Sequence, residues 1–336
     1  MSGKAQVLLI GCGGVGAIAA LNLETGGHAA VTVVLRSNYS KVISDGFHIK
    51  SCDHGDIHNW KPSKVVNTIP TQSEMCFDYV VITTKNTPDY PPTMADLIEP
   101  AIVPGETVIV LIQNGLNIEK PFLEKYPDNT CLSGVSLIGS HETAPAVIEH
   151  EDPDRLIIGV FQNPLLQKET GDAIAHHCIL EAGKQIVPSL LCSIPSMAKA
   201  GLQRVSKSHL RNNRIGHRTN SAYGRHCFHF AVTCNARSCG CCKGCGVILP
   251  SGIEDRMINI DPLTMYLHPS MLEDGNLVEF ETLVGEPLRE GLSGGVSMPT
   301  LTVLYHTLKV MKWRLKEQRG IIDVPAKGEY LKNGSK

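Results

Sequence analysis

Val7-Leu8-Leu9-Ile10-Gly11-Cys12-Gly13-Gly14-Val15-Gly16, continuing into Ala17-Ile18-Ala19-Ala20-Leu21-Asn22-Leu23, decides the fold of this 336-residue chain. An unbroken apolar run followed by glycines reads as a strand buried on both faces. The Ala-rich segment after it reads as a helix lying close upon that strand. In Gly11-x-Gly13-x-x-Gly16 the first glycine permits the sharp bend and the second lets backbone approach a pyrophosphate. The third lets helix and strand touch. Phosphates would then meet the N–H groups at the helix start, and the stretch Gly11, Cys12, Gly13, Gly14, Val15 and Gly16 forms the expected cofactor-binding turn. Three glycines alone are weak evidence; a strand before them and a helix after them make the signal strong.

Outward from this stretch, composition sets limits. A chain of this length buries a full core and is expected to divide in two. Net charge is -2, with 31 Lys+Arg against 33 Asp+Glu, so no basic bias points to nucleic acid. No apolar run is long enough to cross a bilayer. The first strand starts almost at once, which makes the cytoplasm the expected compartment. In that setting the 12 cysteines are expected as reduced thiols rather than as a disulfide framework.

The pattern then repeats. Ala30-Val31-Thr32-Val33-Val34-Leu35 is a second strand ending in Arg36-Ser37-Asn38. A carboxylate at this tip suits the ribose hydroxyls of NAD, whereas Arg36 suits a 2′-phosphate, so NADPH is the expected cofactor. Gly46-Phe47-His48-Ile49-Lys50 suggests a small hairpin. The strand Asp78–Thr84 delivers Lys85 to the edge where ligands meet an open parallel sheet, and Glu106–Ile112 delivers Gln113-Asn114-Gly115 to the same edge. Asn114 there can hydrogen-bond a ribose or a substrate carboxylate. Gly134–Gly139 and Arg155–Gly159 read as further strands, the second after a turn at His150-Glu151-Asp152-Pro153. His141 and His150 are read as solvated loop histidines and take no role.

These motifs together resemble the ketopantoate reductase (2-dehydropantoate 2-reductase) family. The likeness rests on Gly11-x-Gly13-x-x-Gly16, Leu35-Arg36-Ser37, Thr84-Lys85, Gln113-Asn114-Gly115, and Glu149-His150 leading into Arg155-Leu156-Ile157-Ile158-Gly159. It resumes in Pro269–Asp274 and Glu279–Leu288. The resemblance implies an α/β fold: an N-terminal Rossmann-type doubly wound sheet over residues 1–190. A mainly helical domain like that of 6-phosphogluconate dehydrogenase would follow over 191–325, for substrate and dimerisation, and then a frayed tail over 326–336. It implies reduction of 2-dehydropantoate to pantoate with NADPH, for pantothenate and coenzyme A synthesis, in a homodimer. By the same resemblance Arg36 and Lys85 contact the cofactor, Asn114 the cofactor or substrate, and Ser270 and Glu279 the substrate.

Reducing a ketone builds charge on its oxygen, so a proton donor must stand within hydrogen-bond reach. The family uses a lysine in a motif like Trp-x-Lys-Leu, and the nearest match is Arg204-Val205-Ser206-Lys207. Lys207 is thus the candidate acid, working with Glu279, although Val205 replaces the tryptophan and no asparagine stands four residues on.

From Ser208 to Gly246 the chain changes character. Basic residues and histidines crowd the first half, and six cysteines fall between Cys227 and Cys245 without helical or strand periodicity. Cys239-x-Cys241-Cys242-x-x-Cys245 with His226 and His229 offers soft ligands for zinc, but fits no paired zinc module. The other reading is a displaced coding frame. Codons permitted for Thr233 to Gly246, read one base later, can spell Pro-Ala-Met-Arg-Glu-Val-Val-Ala-Ala-Ala-Lys-Ala-Ala-Gly, a good helix. The same displacement after Lys207 can turn Ser-His-Leu into Leu-Ile-Tyr. Two junctions with one displacement favour the frame reading, and no metal ligands are assigned. Three functions stay open: the reductase, impaired as the sequence stands; a reductase of another branched 2-keto acid; and a catalytically silent protein whose Cys/His segment binds zinc or a partner.

Overall fold

The computed structural model describes residues 3–161 and 277–322. The chain divides into two compact units, 1–200 and 201–336, and each is taken by itself. In the first unit β1 (Ala5–Ile10) leads through the glycine turn into α1 (Gly14–Thr25), then β2 (Ala29–Val34) and α2 (Tyr39–Asp45). A hairpin of β3 (Phe47–Ser51) and β4 (Gly55–Trp60) follows, then β5 (Lys64–Val66), β6 (Tyr79–Ile82) and α3 (Met94–Leu97). The unit continues with β7 (Val108–Leu111), α4 (Lys120–Lys125), β8 (Cys131–Ser136), β9 (Gly139–Ala144), β10 (Val147–Asp152) and β11 (Leu156–Val160).

Seven of these strands form one sheet in the order β11-β8-β7-β6-β1-β2-β5. All its neighbours run parallel except β11 against β8. The apolar run of β1 explains its central place. Val7 and Leu9 enter the cluster that includes Ala17, Ile18, Ala20 and Leu21 of α1. Leu8 and Ile10 enter the cluster on the other face with Ala95, Ile98 and Phe122. A strand whose alternate residues both need cover can only sit inside a two-sided sheet.

The hairpin expected at Gly46–Lys50 is present and belongs to a second sheet, ordered β4-β3-β10-β9. Here the sequence reading needs a correction. The stretch from His150 to Asp152 is no turn but the end of β10, paired in parallel with β3. His150 is 3 % exposed and so is a buried histidine, not a solvated one. His141 lies exposed on β9, 3.9 Å from Glu149.

In the second unit Glu281–Gly285 forms a π-helical turn that runs into α5 (Glu286–Ser293), and α6 spans Pro299–Gln318. Leu301, Leu304 and Leu308 are buried along one stripe of α6, as the apolar spacing implies. No helix among the described residues is long and apolar enough to cross a membrane.

Leu9 is fully buried at the centre of the large sheet. Leu9→Ala is expected to lower unfolding free energy by about 2–5 kcal/mol, whereas Val303→Ala, on the exposed side of α6, changes it by less than about 0.5 kcal/mol. Urea unfolding with the two slopes compared decides this.

Candidate functional site

The chain passes from β1 outward to β2 and β5 and then returns to β6 on the other side of β1. That reversal opens a crevice beyond the carboxyl ends of β1 and β6, where open α/β sheets hold their ligands. The loops that follow β1, β2, β6 and β7 bring the Gly11–Gly16 turn, Arg36, Lys85 and Asn114 to this one edge.

The glycines are there for stated reasons. Gly11 has φ +100°, and a Cβ there would press on Thr84 at 2.6 Å. A side chain at Gly16 would strike the Gly11 carbonyl and the Thr83 hydroxyl, so the third glycine is what lets α1 start against β1. Around Gly13 nothing lies within 4 Å of an added Cβ, which leaves open space at the start of α1. No acidic residue stands in the first turn of α1. An open approach and a helix start with no acidic residue in its first turn fit a pyrophosphate. Cys12 turns its side chain into the core, and burial together with Glu142 pushes the thiol far above its ordinary range. Only the backbone of Cys12 is therefore offered to a ligand.

The loops are fastened to each other. The Thr83 hydroxyl donates to the Gly11 carbonyl at 2.5 Å, joining the β6 loop to the glycine turn. Gln113, buried after β7, donates its amide to the Thr84 carbonyl at 2.6 Å. These bonds hold exposed Lys85 and half-buried Asn114 on loops with fixed roots. Arg36 and Ser37 are exposed past the end of β2.

Three contributors were missed by the sequence reading. Ser140 of β9 donates its hydroxyl to the Gly14 carbonyl at 3.0 Å, so the second sheet abuts the glycine turn. Glu142, on the same strand, accepts from the Asn38 side-chain amide at 2.5 Å and from the Ala146 N–H at 2.9 Å. Asn38 thus turns toward a carboxylate. Nothing in the sequence links these residues, since about a hundred positions separate β9 from the loops it touches. The third is Gln113, which was read only as part of a motif.

In the second unit Glu279 is 2 % exposed and precedes Phe280, whose ring packs on Tyr305 with centroids 5.3 Å apart. Lys312 of α6 is also buried, with its ammonium 5.4 Å from the centre of the Phe280 ring. Tyr305 donates its hydroxyl to Glu281 at 2.9 Å, and Arg289 holds the same carboxylate at 3.1 Å. Lys207, Ser270 and the Cys-rich segment lie outside the described residues.

With this geometry in hand, the likenesses to known proteins can be read. Residues 7–163 match the family model described as Ketopantoate reductase PanE/ApbA. Residues 7–163 are a ketopantoate reductase family domain. Over 360 aligned residues the chain is 28 % identical to YDL144C, an uncharacterised protein of Saccharomyces cerevisiae, covering 97 % of this chain and 99 % of that one. Among solved structures, 2-dehydropantoate 2-reductase from Methylococcus capsulatus superposes with a TM-score of 0.71 at 24 % identity, over 92 % of this chain and 97 % of that one. A D-mandelate dehydrogenase determined with NADH and anilino(oxo)acetate gives 0.73 at 17 % identity, over 93 % and 99 % of the two chains. The likeness of fold thus covers more than nine-tenths of the chain, whereas the family model covers residues 7–163.

The glycine geometry separates two substitutions. A methyl at position 13 enters open space at φ -85°, so Gly13→Ala should leave the melting temperature of the ligand-free protein unchanged. A methyl at position 14 would sit 2.5 Å from the Ser140 carbonyl oxygen, so Gly14→Ala should cost about 1–3 kcal/mol as β9 is pushed away. Calorimetric scans of the two variants should therefore differ in this order.

Proposed function

We propose that this chain is an NADPH-dependent reductase of 2-dehydropantoate, forming pantoate for pantothenate and coenzyme A synthesis, and working as a cytoplasmic homodimer. The observation that carries the reading is the gathering of the glycine turn, Arg36, Lys85 and Asn114 at one sheet edge within a ketopantoate reductase domain. When bound there, the nicotinamide supplies the hydride.

The residues of the chain would do the rest. The glycine turn cradles pyrophosphate on backbone N–H groups. Arg36, exposed beyond β2, offers a guanidinium to a 2′-phosphate, and this favours NADPH over NADH. Lys85 and Asn114 stand where cofactor and keto acid would meet. By resemblance Lys207 gives the proton to the developing alkoxide, while Ser270 and Glu279 hold the substrate's polar groups. A donor of this kind loses about a hundredfold in rate for a misplacement of about 1 Å. The residues after Lys207 lack an apolar stripe to dock their helix, so weak turnover is expected from the chain as it stands. The likeness to a D-mandelate dehydrogenase favours a second reading, a reductase of another branched or aromatic 2-keto acid in the same site.

Two measurements separate these readings. NADPH should bind more tightly than NADH, and Arg36→Ala should weaken NADPH alone by about 1.5 to 3 kcal/mol, about 10- to 150-fold in Kd. Equal affinities in the wild type would overturn the cofactor assignment. In steady-state assays over a series of 2-keto acids, 2-dehydropantoate should be the preferred substrate. The chain with the alternative frame restored between Ser208 and Gly246 should be the faster catalyst, and Lys207→Ala in that chain should lose it. Full activity without restoration would refute the frame argument.

A further inference from the structure

The end of β3 and the end of β10 bring together a thiol, a carboxylate and an imidazole that the reductase reading does not use. In the parallel register His150 stands opposite Ser51, and the Cys52 N–H donates to the His150 carbonyl at 2.9 Å. The hairpin then turns on Ser51, whose hydroxyl receives the N–H groups of Asp53 and His54 at 3.1 and 3.0 Å. This winding carries Cys52 and Asp53 over the edge of the His150 ring.

The ring is fixed in direction. Its Nδ1 lies 2.8 Å from the Ser51 hydroxyl, so Nε2 is the nitrogen that faces Cys52 and Asp53. The His150 side chain has no solvent exposure, whereas Cys52 is exposed and the Asp53 side chain is 30 % exposed. Asp53 is held in turn, since its Oδ2 accepts the Asp154 N–H at 3.1 Å. One buried nitrogen therefore faces a sulfur and a carboxylate that themselves reach the surface.

The spacing decides what this arrangement suits. Sγ of Cys52 is 3.8 Å and Oδ2 of Asp53 is 4.0 Å from Nε2, and the three ligand atoms all lie within 4.8 Å of one another. Nitrogen and oxygen 4.0 Å apart do not make a good hydrogen bond. Two ligands of one tetrahedral zinc, at bonds of about 2.0 to 2.3 Å, stand about 3.3 to 3.6 Å apart. The two distances to Nε2 need to close by about half an ångström. By contrast, the other such cluster among the described residues, His48, Asp56 and His58, is already drawn to 2.7 Å between His48 and Asp56, an ordinary hydrogen bond, and lies on an exposed hairpin face.

We propose that Cys52, Asp53 and His150 bind a zinc-class divalent cation, with the fourth position open to solvent. Thiolate and imidazole select zinc, cobalt or copper over magnesium and calcium. Thiolate and carboxylate together neutralise the 2+ charge, and the thiol proton passes to solvent as the metal binds. In the metal form the Nδ1 proton of His150 is directed at the Ser51 hydroxyl, which shares its two lone pairs among this donor and the Asp53 and His54 N–H groups. The ion would tie the β3–β4 hairpin to β10 and so brace the sheet whose β9 abuts the glycine turn.

Zinc is titrated into the full chain, freed of metal with chelator, against a chromophoric competitor, with magnesium as control. One equivalent should be lost in Cys52→Ser and weakened by about 10- to 100-fold in Asp53→Asn and in Ser51→Ala, yet kept when Cys239 and Cys242 are replaced by serine. Cobalt should give a thiolate charge-transfer band that Cys52→Ser removes. Asp53→Asn alters a part-exposed side chain, and its circular dichroism and ligand-free melting temperature confirm that it folds. Zinc should raise the melting temperature of wild type but not of Cys52→Ser. Unchanged stoichiometry and affinity in folded Cys52→Ser and Asp53→Asn would overturn the proposal, as would zinc loss only with Cys239 and Cys242.

Discussion

The contact on which the rest of the first unit depends is the one between the Gly11 carbonyl and the start of α1 at Gly16. No side chain fits between them, and the Thr83 hydroxyl closes the same spot from β6. Because α1 begins there, its first N–H groups face the crevice between β1 and β6 instead of being lifted away from it. Everything placed at the sheet edge is then measured from that origin. Thr84 packs on Gly11, Gln113 ties to Thr84, and Asn114 follows Gln113. A chain of short polar bonds between neighbouring loops thus converts the position of one glycine into the positions of Lys85 and Asn114.

What could be read from sequence was local. β1, α1, β2, β6, β7 and the terminal helix announce themselves because each carries its own apolar period, and Gly11 to Gly16 state their reasons in their spacing. What could not be read was long-range pairing. β10 looks like a turn because His150-Glu151-Asp152-Pro153 is polar and ends in proline. Its pairing with β3 nonetheless runs to His150 opposite Ser51, and His150 is buried. The same reason hid Glu142 and Ser140. They meet the cofactor-side loops only because the second sheet folds back over a hundred residues of chain. Lys312, a cation inside an otherwise regular amphipathic helix, carries no such signal in the sequence and is buried with its ammonium over Phe280.

The second sheet changes the view of the site. In the sequence the hairpin after β2 is an excursion, but in the structure it is one half of a sheet that leans on the glycine turn through Ser140 and receives Asn38 through Glu142. The Glu142 carboxylate thus meets the chain two positions beyond Arg36, at the Asn38 amide. How strongly the edge of this sheet is held bears directly on how well the cofactor side is formed.

The central claim is that loops after β1, β2, β6 and β7 form one dinucleotide site. Hydrogen–deuterium exchange of the full chain with and without saturating NADPH tests it most directly, peptide by peptide. The account predicts slowed exchange in residues 11–17, 35–38, 83–86 and 113–116 together, with β4 unchanged. Protection confined to another part of the chain, or none at a concentration where binding is established, would contradict it.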